Sequence, residues 1–168
     1  MKRVLVLVLV LVLAAFGAFA ATGTGSHTVT MNVNAIAAIA VVGGNITMAV
    51  APPATPGAQP ADATDSTTKL AYTVVGAGVV TVQWGATDGS PAGTQLQVVA
   101  GSVAGYGTAA STVTISSTAQ NLITSIPSCY TTAAGVPVLQ YTLHVQTPGS
   151  LVSSATKTAT ITYTMTAN

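Results

Sequence analysis

The side chains able to do chemistry are few in this 168-residue chain, and they are scattered. The two histidines, His27 and His144, lie far apart in sequence. Neither has an i, i+4 partner or a Cys-x-x-Cys companion, so no zinc signature is present. Serine is plentiful, but no Gly-x-Ser-x-Gly elbow occurs. A triad would have to recruit one of two histidines and one of three aspartates, Asp62, Asp65 and Asp88. Asp62 and Asp65 stand close together, as a minimal oxygen pair for calcium would. Calcium takes roughly 6 to 8 oxygens and several carboxylates, so the pair reads better as part of a solvated polar loop. Gly43 and Gly44 are turn formers, since no Gly-x-Gly-x-x-Gly leads from a strand into a helix. The expectation is a chain that is not an enzyme and that carries no cofactor or metal.

Other side chains suit contact better than catalysis. Trp84, Tyr72, Tyr141 and Tyr163 fall at inward positions of alternating runs and are expected in the core. Tyr106 and Tyr130 fall in loops and are the better candidates for an exposed sugar contact. Asn45, Ile46 and Thr47 form a sequon at a turn, which makes Asn45 the candidate glycosylation site. The single cysteine, Cys129, rules out an intramolecular disulfide framework and reads as a small buried hydrophobe, with a bridge between chains as the alternative. Packing and sheet hydrogen bonds must hold the fold.

Composition narrows the setting. Hydrophobic residues make up 49% of the chain and charged residues only 4%, against about 25% charged in ordinary soluble domains. Glutamate is absent, so solubility rests on Thr, Ser, Asn and Gln. The formal net charge is +1, but two of the four basic residues, Lys2 and Arg3, stand at the extreme amino terminus. Without a basic patch the surface cannot neutralise phosphates in number, which argues against nucleic acid as a partner. Weak self-repulsion favours association between copies of the chain instead.

Met1, Lys2 and Arg3, the apolar run Val4 to Ala14, and the small residues Ala18 and Ala20 follow the tripartite pattern of an export signal. Strong hydrophobicity stops near Ala20, at the short end of the ~20 residues that span a bilayer. Residues 1–20 are therefore expected to be a signal peptide cleaved after Ala20. No membrane span remains after cleavage, and the chain is expected outside the cell or at its surface.

Beyond the leader, period-two alternation dominates and no amphipathic helix stands out. Residues His27 to Ala35 place Val29, Met31 and Val33 opposite Thr28, Thr30, Asn32 and Asn34, as in a half-buried strand continuing through Ile36 to Val42. Gly43 to Asn45 predicts a hairpin turn into Ile46, Met48 and Val50. Residues Ala51 to Ser66, with Pro52, Pro53, Pro56 and Pro60, predict a long loop. Further strands are marked by Leu70, Tyr72 and Val74; by Val80, Val82 and Trp84; by Leu96 and Val98; and by Val113 and Ile115. A less regular segment holds Leu122, Ile123 and Ile126. Residues Leu139 to Val145 and Ala159 to Met165 predict a closing antiparallel hairpin with aromatic cross-strand partners. About eight short strands with regular turn signals predict an all-β fold, an antiparallel β-sandwich or jelly roll over 43–168. Residues 21–42 form an N-terminal strand segment ahead of it.

That segment, Thr28 to Asn34 after the linker-like Ala21 to Ser26, resembles the donor segments of exported pilin subunits. The closing Tyr163-Thr164-Met165-Thr166 strand is similar in style to theirs. The plan also resembles biofilm-matrix fibre subunits that polymerise by donor-strand exchange. The resemblance implies a structural subunit of an extracellular filament, a homopolymer assembled by β-strand complementation, with Val29, Met31, Val33 and Ile36 at the subunit interface. The alternative is an extracellular carbohydrate-binding or adhesive β-sandwich module, with glycans as partners.

Overall fold

The structure, a computed structural model, describes residues 24–101, 103–153 and 155–168. The predicted signal peptide, residues 1–20, lies outside them. The chain divides into two units, Met1–Val33 and Asn34–Asn168. In the first, residues 24–33 carry no strand, and Val29, Met31 and Val33 expose 60%, 86% and 77% of their surface. The half-buried strand predicted over His27 to Ala35 is thus not formed; strand structure starts at Ile36. Alternation states which side chains would share a face, and it says nothing about whether that face is covered.

Among its described residues the second unit has ten strands: β1 (Ile36–Val42), β2 (Ala63–Val75), β3 (Gly78–Trp84), β4 (Thr94–Ala100), β5 (Thr108–Ala109), β6 (Val113–Thr114), β7 (Gln120–Ile126), β8 (Cys129–Tyr130), β9 (Val138–Val145) and β10 (Ile161–Ala167). One 3-10 turn, Pro148–Ser150, is its helical element among the described residues. All pairings are antiparallel. One sheet runs β1-β2-β9-β4-β6 with β8 also on β2, and the other runs β10-β3-β7-β5. The predicted β-sandwich is the fold.

The inward sets follow the sequence alternation closely. Leu70, Tyr72 and Val74 of β2, Val80 and Val82 of β3, Leu139 and Tyr141 of β9, and Tyr163 and Met165 of β10 are buried in one cluster. Burying each such side chain stabilises by roughly 1.5 to 3 kcal/mol. Alternation breaks in β7, where Leu122 and Ile123 are both buried. Val80 pairs with Ile123 and Thr81 with Asn121, so Leu122 is an extra residue and both neighbours can face inward; a second shift, between Gly78 and Val80, spans Ser125 at a left-handed φ of 51°. That bulge is why the segment read as irregular.

Two predicted hairpins are absent. β9 and β10 lie in different sheets, β9 between β2 and β4 and β10 beside β3. The segment between them carries the chain across the sandwich rather than reversing it within one sheet. β1 pairs with β2, from Ile36↔Val75 to Val42↔Lys69, and not with residues 46–50. Ile46, Met48 and Val50 are half-buried and alternate with exposed Asn45, Thr47 and Ala49, yet they form no strand. Their alternation reflects a segment lying on the core without a ladder. The long loop also ends sooner than predicted, since β2 begins at Ala63.

Candidate functional site

The site with the most to offer another molecule is the end of the larger sheet. Leu70 and Tyr72 direct their backbone groups away from β1. Leu70 N–H donates to Pro137 O (3.1 Å), and its carbonyl accepts from Val136 N–H (3.2 Å). Tyr72 N–H donates to Thr131 Oγ1 (2.8 Å), and its carbonyl accepts from Thr131 N–H (2.8 Å). The β1-facing groups are therefore those of Lys69, Ala71, Thr73 and Val75, whose register partners are Val42, Ala40, Ala38 and Ile36. By the alternation of an antiparallel ladder, Ala37, Ile39 and Val41 turn their N–H and C=O groups to the other side. There β1 ends its sheet, close to β10 of the second sheet but sharing no ladder with it among the described residues.

The strand Ile-Ala-Ala-Ile-Ala-Val-Val carries neither charge nor proline, the devices that usually protect an edge. Ile36 and Val41 are large, apolar and about half exposed. A shallow, open depression of about 310 Å³ runs across β1, β2 and residues 131–133, with Ala38, Ala40, Ala71 and Ala133 among its lining together with Ile39 and Tyr72. It holds no charged side chain.

Polar side chains are occupied in holding the frame. Asp62, one residue before β2, accepts from the Nδ1–H of His144 through Oδ2 and from Val145 N–H through Oδ1, both at 2.8 Å. These two hydrogen bonds hold its carboxyl below the usual value. Gln59 Nε2 donates to Val145 O (3.1 Å), so side chains from the proline-rich loop occupy both backbone groups of Val145. Asp65 Oδ1 accepts from the N–H (3.0 Å) and hydroxyl (2.8 Å) of Thr67, where β2 shifts register against β9. The two carboxylates of the suggested calcium pair thus have separate partners. Asp88 Oδ2 accepts from Gly85 N–H (3.1 Å) and Thr160 N–H (2.9 Å), joining the turn after β3 to the approach to β10. No three His, Cys, Asp or Glu side chains gather at one point among the described residues.

The aromatic residues divide differently from expectation. Tyr72 is buried and its hydroxyl donates to Tyr106 O (2.8 Å); burial pushes its phenol up to about 12. Tyr106 itself is half-buried against the core, because its N–H closes a turn onto Val103 O (2.7 Å). Only Tyr130 of the two loop candidates is exposed, at 76%, and it lies in β8. Trp84 packs half-buried against the core. Cys129 is half-buried opposite Val74, and burial raises its thiol pKa. Asn45 is exposed beside the turn after β1.

No protein-family model, curated protein or solved structure matches this chain. The reading of the site rests on its own geometry. Among the described residues no helix is long and apolar enough to cross a membrane.

Of the four residues predicted at an interface, Val29, Met31 and Val33 are exposed in the first unit, and Ile36 opens β1 with Val75 as its partner. The terminal position of β1 was not readable in advance. The prolines at 52, 53, 56 and 60 were the available signal, since a chain so interrupted after Val50 gives residues 46–50 little chance of continuing a sheet.

Proposed function

We propose that this chain is a non-enzymatic structural subunit of an extracellular filament or surface fibre, whose copies join head to tail by β-strand complementation. The observation that carries this reading is β1, an uncharged, proline-free strand at the end of its sheet. An edge of that kind is a template for another strand. The exposed alternating set Val29, Met31 and Val33 precedes it, on a segment of matching neutrality. Burial of those side chains and Ile36 against a neighbour, at roughly 1.5 to 3 kcal/mol each, would offset much of the entropy lost on ordering the segment. A single heterologous contact repeated from copy to copy builds an open fibre. The low charge of the chain, 4% of residues, leaves little repulsion to oppose it.

Electron microscopy of exported protein, with and without residues 21–34, tests the reading. Regular fibres from the intact chain and none from the shortened one are expected. Uniform small particles from the intact chain at all concentrations would overturn it.

A further inference from the structure

We infer that β1 is an exchangeable strand, which opens at Gly43–Gly44 and pairs in its native register with β2 of a second copy. This deepens the proposed fibre contact, since an exchanged β1 carries the preceding segment with Val29, Met31 and Val33 onto the same second copy, and to that extent it rests on the fibre reading.

β1 supplies no fully buried side chain to the core. Among the described residues every buried apolar side chain lies between Leu70 and Met165, and from β1 only Ile39 is packed partly against that cluster. Among the described residues its one ladder partner is β2, through the backbone groups of Ile36, Ala38, Ala40 and Val42, and it lies close to β10 without a ladder. Releasing it would strip one edge from Lys69 to Val75 and uncover part of Leu70, Tyr72 and Val74. The surface so uncovered fits one sequence already present in every copy, namely β1. Each pair broken within a chain is remade identically between chains, so the balance is set by the hinge and by protein concentration.

The hinge is confined to a few residues. Gly43 has φ +132°, and a Cβ there would stand 3.2 Å from Thr68 Cα and 3.3 Å from Thr67 O, so the closed turn depends on glycine. A Cβ on Gly44 would meet nothing within 4 Å. Glycine gives up the most backbone entropy in a closed turn, and opening returns it. Beyond the hinge the chain is anchored. Ile46 and Met48 pack on the core, and Gln59 and Asp62 hold Val145. Opening at 43–45 therefore swings β1 outward and leaves the rest of the sandwich in place. Reciprocal exchange gives a closed dimer, and one-way exchange gives a growing chain.

Ala38 and Thr73 face each other across β1 and β2, and both are exposed. In a hydrogen-bonded antiparallel pair the Cα atoms lie about 5.5 Å apart, within disulfide range. The test uses Ala38→Cys and Thr73→Cys in full-length chains that also carry Cys129→Ser. Mixed single variants, distinguished by mass, are assembled and then oxidised. A disulfide joining an Ala38→Cys chain to a Thr73→Cys chain is expected. The double variant, oxidised as a monomer, should lose assembly and regain it on reduction. Assembly by the oxidised double variant, or assembled mixtures without the interchain disulfide, would overturn the inference. Fibres lacking that disulfide would reject strand exchange and leave the filament standing. The disulfide in discrete dimers without fibres would support exchange and reject the filament.

Discussion

Tyr141 of β9 and Tyr163 of β10 meet hydroxyl to hydroxyl between the two sheets. Both side chains are buried, and burial raises both phenol pKa values. Each hydroxyl satisfies the other in a place where an unpaired one costs about 1 to 3 kcal/mol. Tyr163→Phe and Tyr141→Phe should each lower stability by that order in urea unfolding. The double phenylalanine variant should lose clearly less than the sum, because neither orphan then remains. Strict additivity would mean that the two hydroxyls do not depend on each other.

Asp62 makes the acid limb of stability specific. Its carboxyl is held below the ordinary 3.8 by hydrogen bonds from His144 and Val145. A depressed carboxyl contributes stability that is fully present above the unfolded value and is lost as pH falls through the folded one. Asp62→Ala should therefore be less stable than the parent at pH 5 to 7. The difference should shrink as pH falls below about 3.8 and vanish once the native carboxyl is protonated. Both side chains are more than a third exposed, so solvent screening should keep the gap to about 1 kcal/mol or less. Urea midpoints across pH for the two proteins measure it; a constant gap down to pH 2 would show that protonation of Asp62 is not the cause.

Cys129 sits opposite Val74 where β8 meets β2, half-buried and without a disulfide. Burial raises its thiol pKa and so lowers the fraction of reactive thiolate at neutral pH. Cys129→Ser should leave export and assembly intact and change stability by less than about 1 kcal/mol. Labelling by a thiol reagent should be slower than for an exposed cysteine. Loss of assembly in Cys129→Ser and Cys129→Ala, with a dimer on non-reducing gels, would reveal an essential bridge between chains.

The inward faces were legible because period-two alternation reports burial directly, as at Leu70, Tyr72 and Val74 or at Tyr163 and Met165. Pairing was not. Tyr141 and Tyr163 do meet, but across the sandwich rather than across a hairpin, since alternation is the same whether a strand's partner lies beside it or above it. Ile46, Met48 and Val50 alternate in burial and pair with nothing in a ladder, while β1 reaches past them to β2. Long-range pairing depends on which edge remains when the sheet closes, and no local pattern encodes that. Asp62 was visible as one of two nearby carboxylates, but its contact with His144 spans most of the domain.

The N-terminal segment gives the sharpest test of assembly, because its two faces differ while neither contributes to the core. Val29, Met31 and Val33 stand on one face by alternation, and Thr28, Thr30 and Asn32 on the other. Val29→Lys and Val33→Lys should abolish fibres, since each would bury an unpaired charge in the complemented contact. Thr28→Lys and Thr30→Lys should leave fibre formation nearly unchanged, because those side chains would remain in solvent. All four variants should unfold within about 0.5 kcal/mol of the parent as monomers, as expected for exposed positions outside any strand. Fibre yield by electron microscopy and monomer stability by urea unfolding separate the two effects. Equal loss of fibres in both sets, or none in either, would reject a face-specific role for this segment.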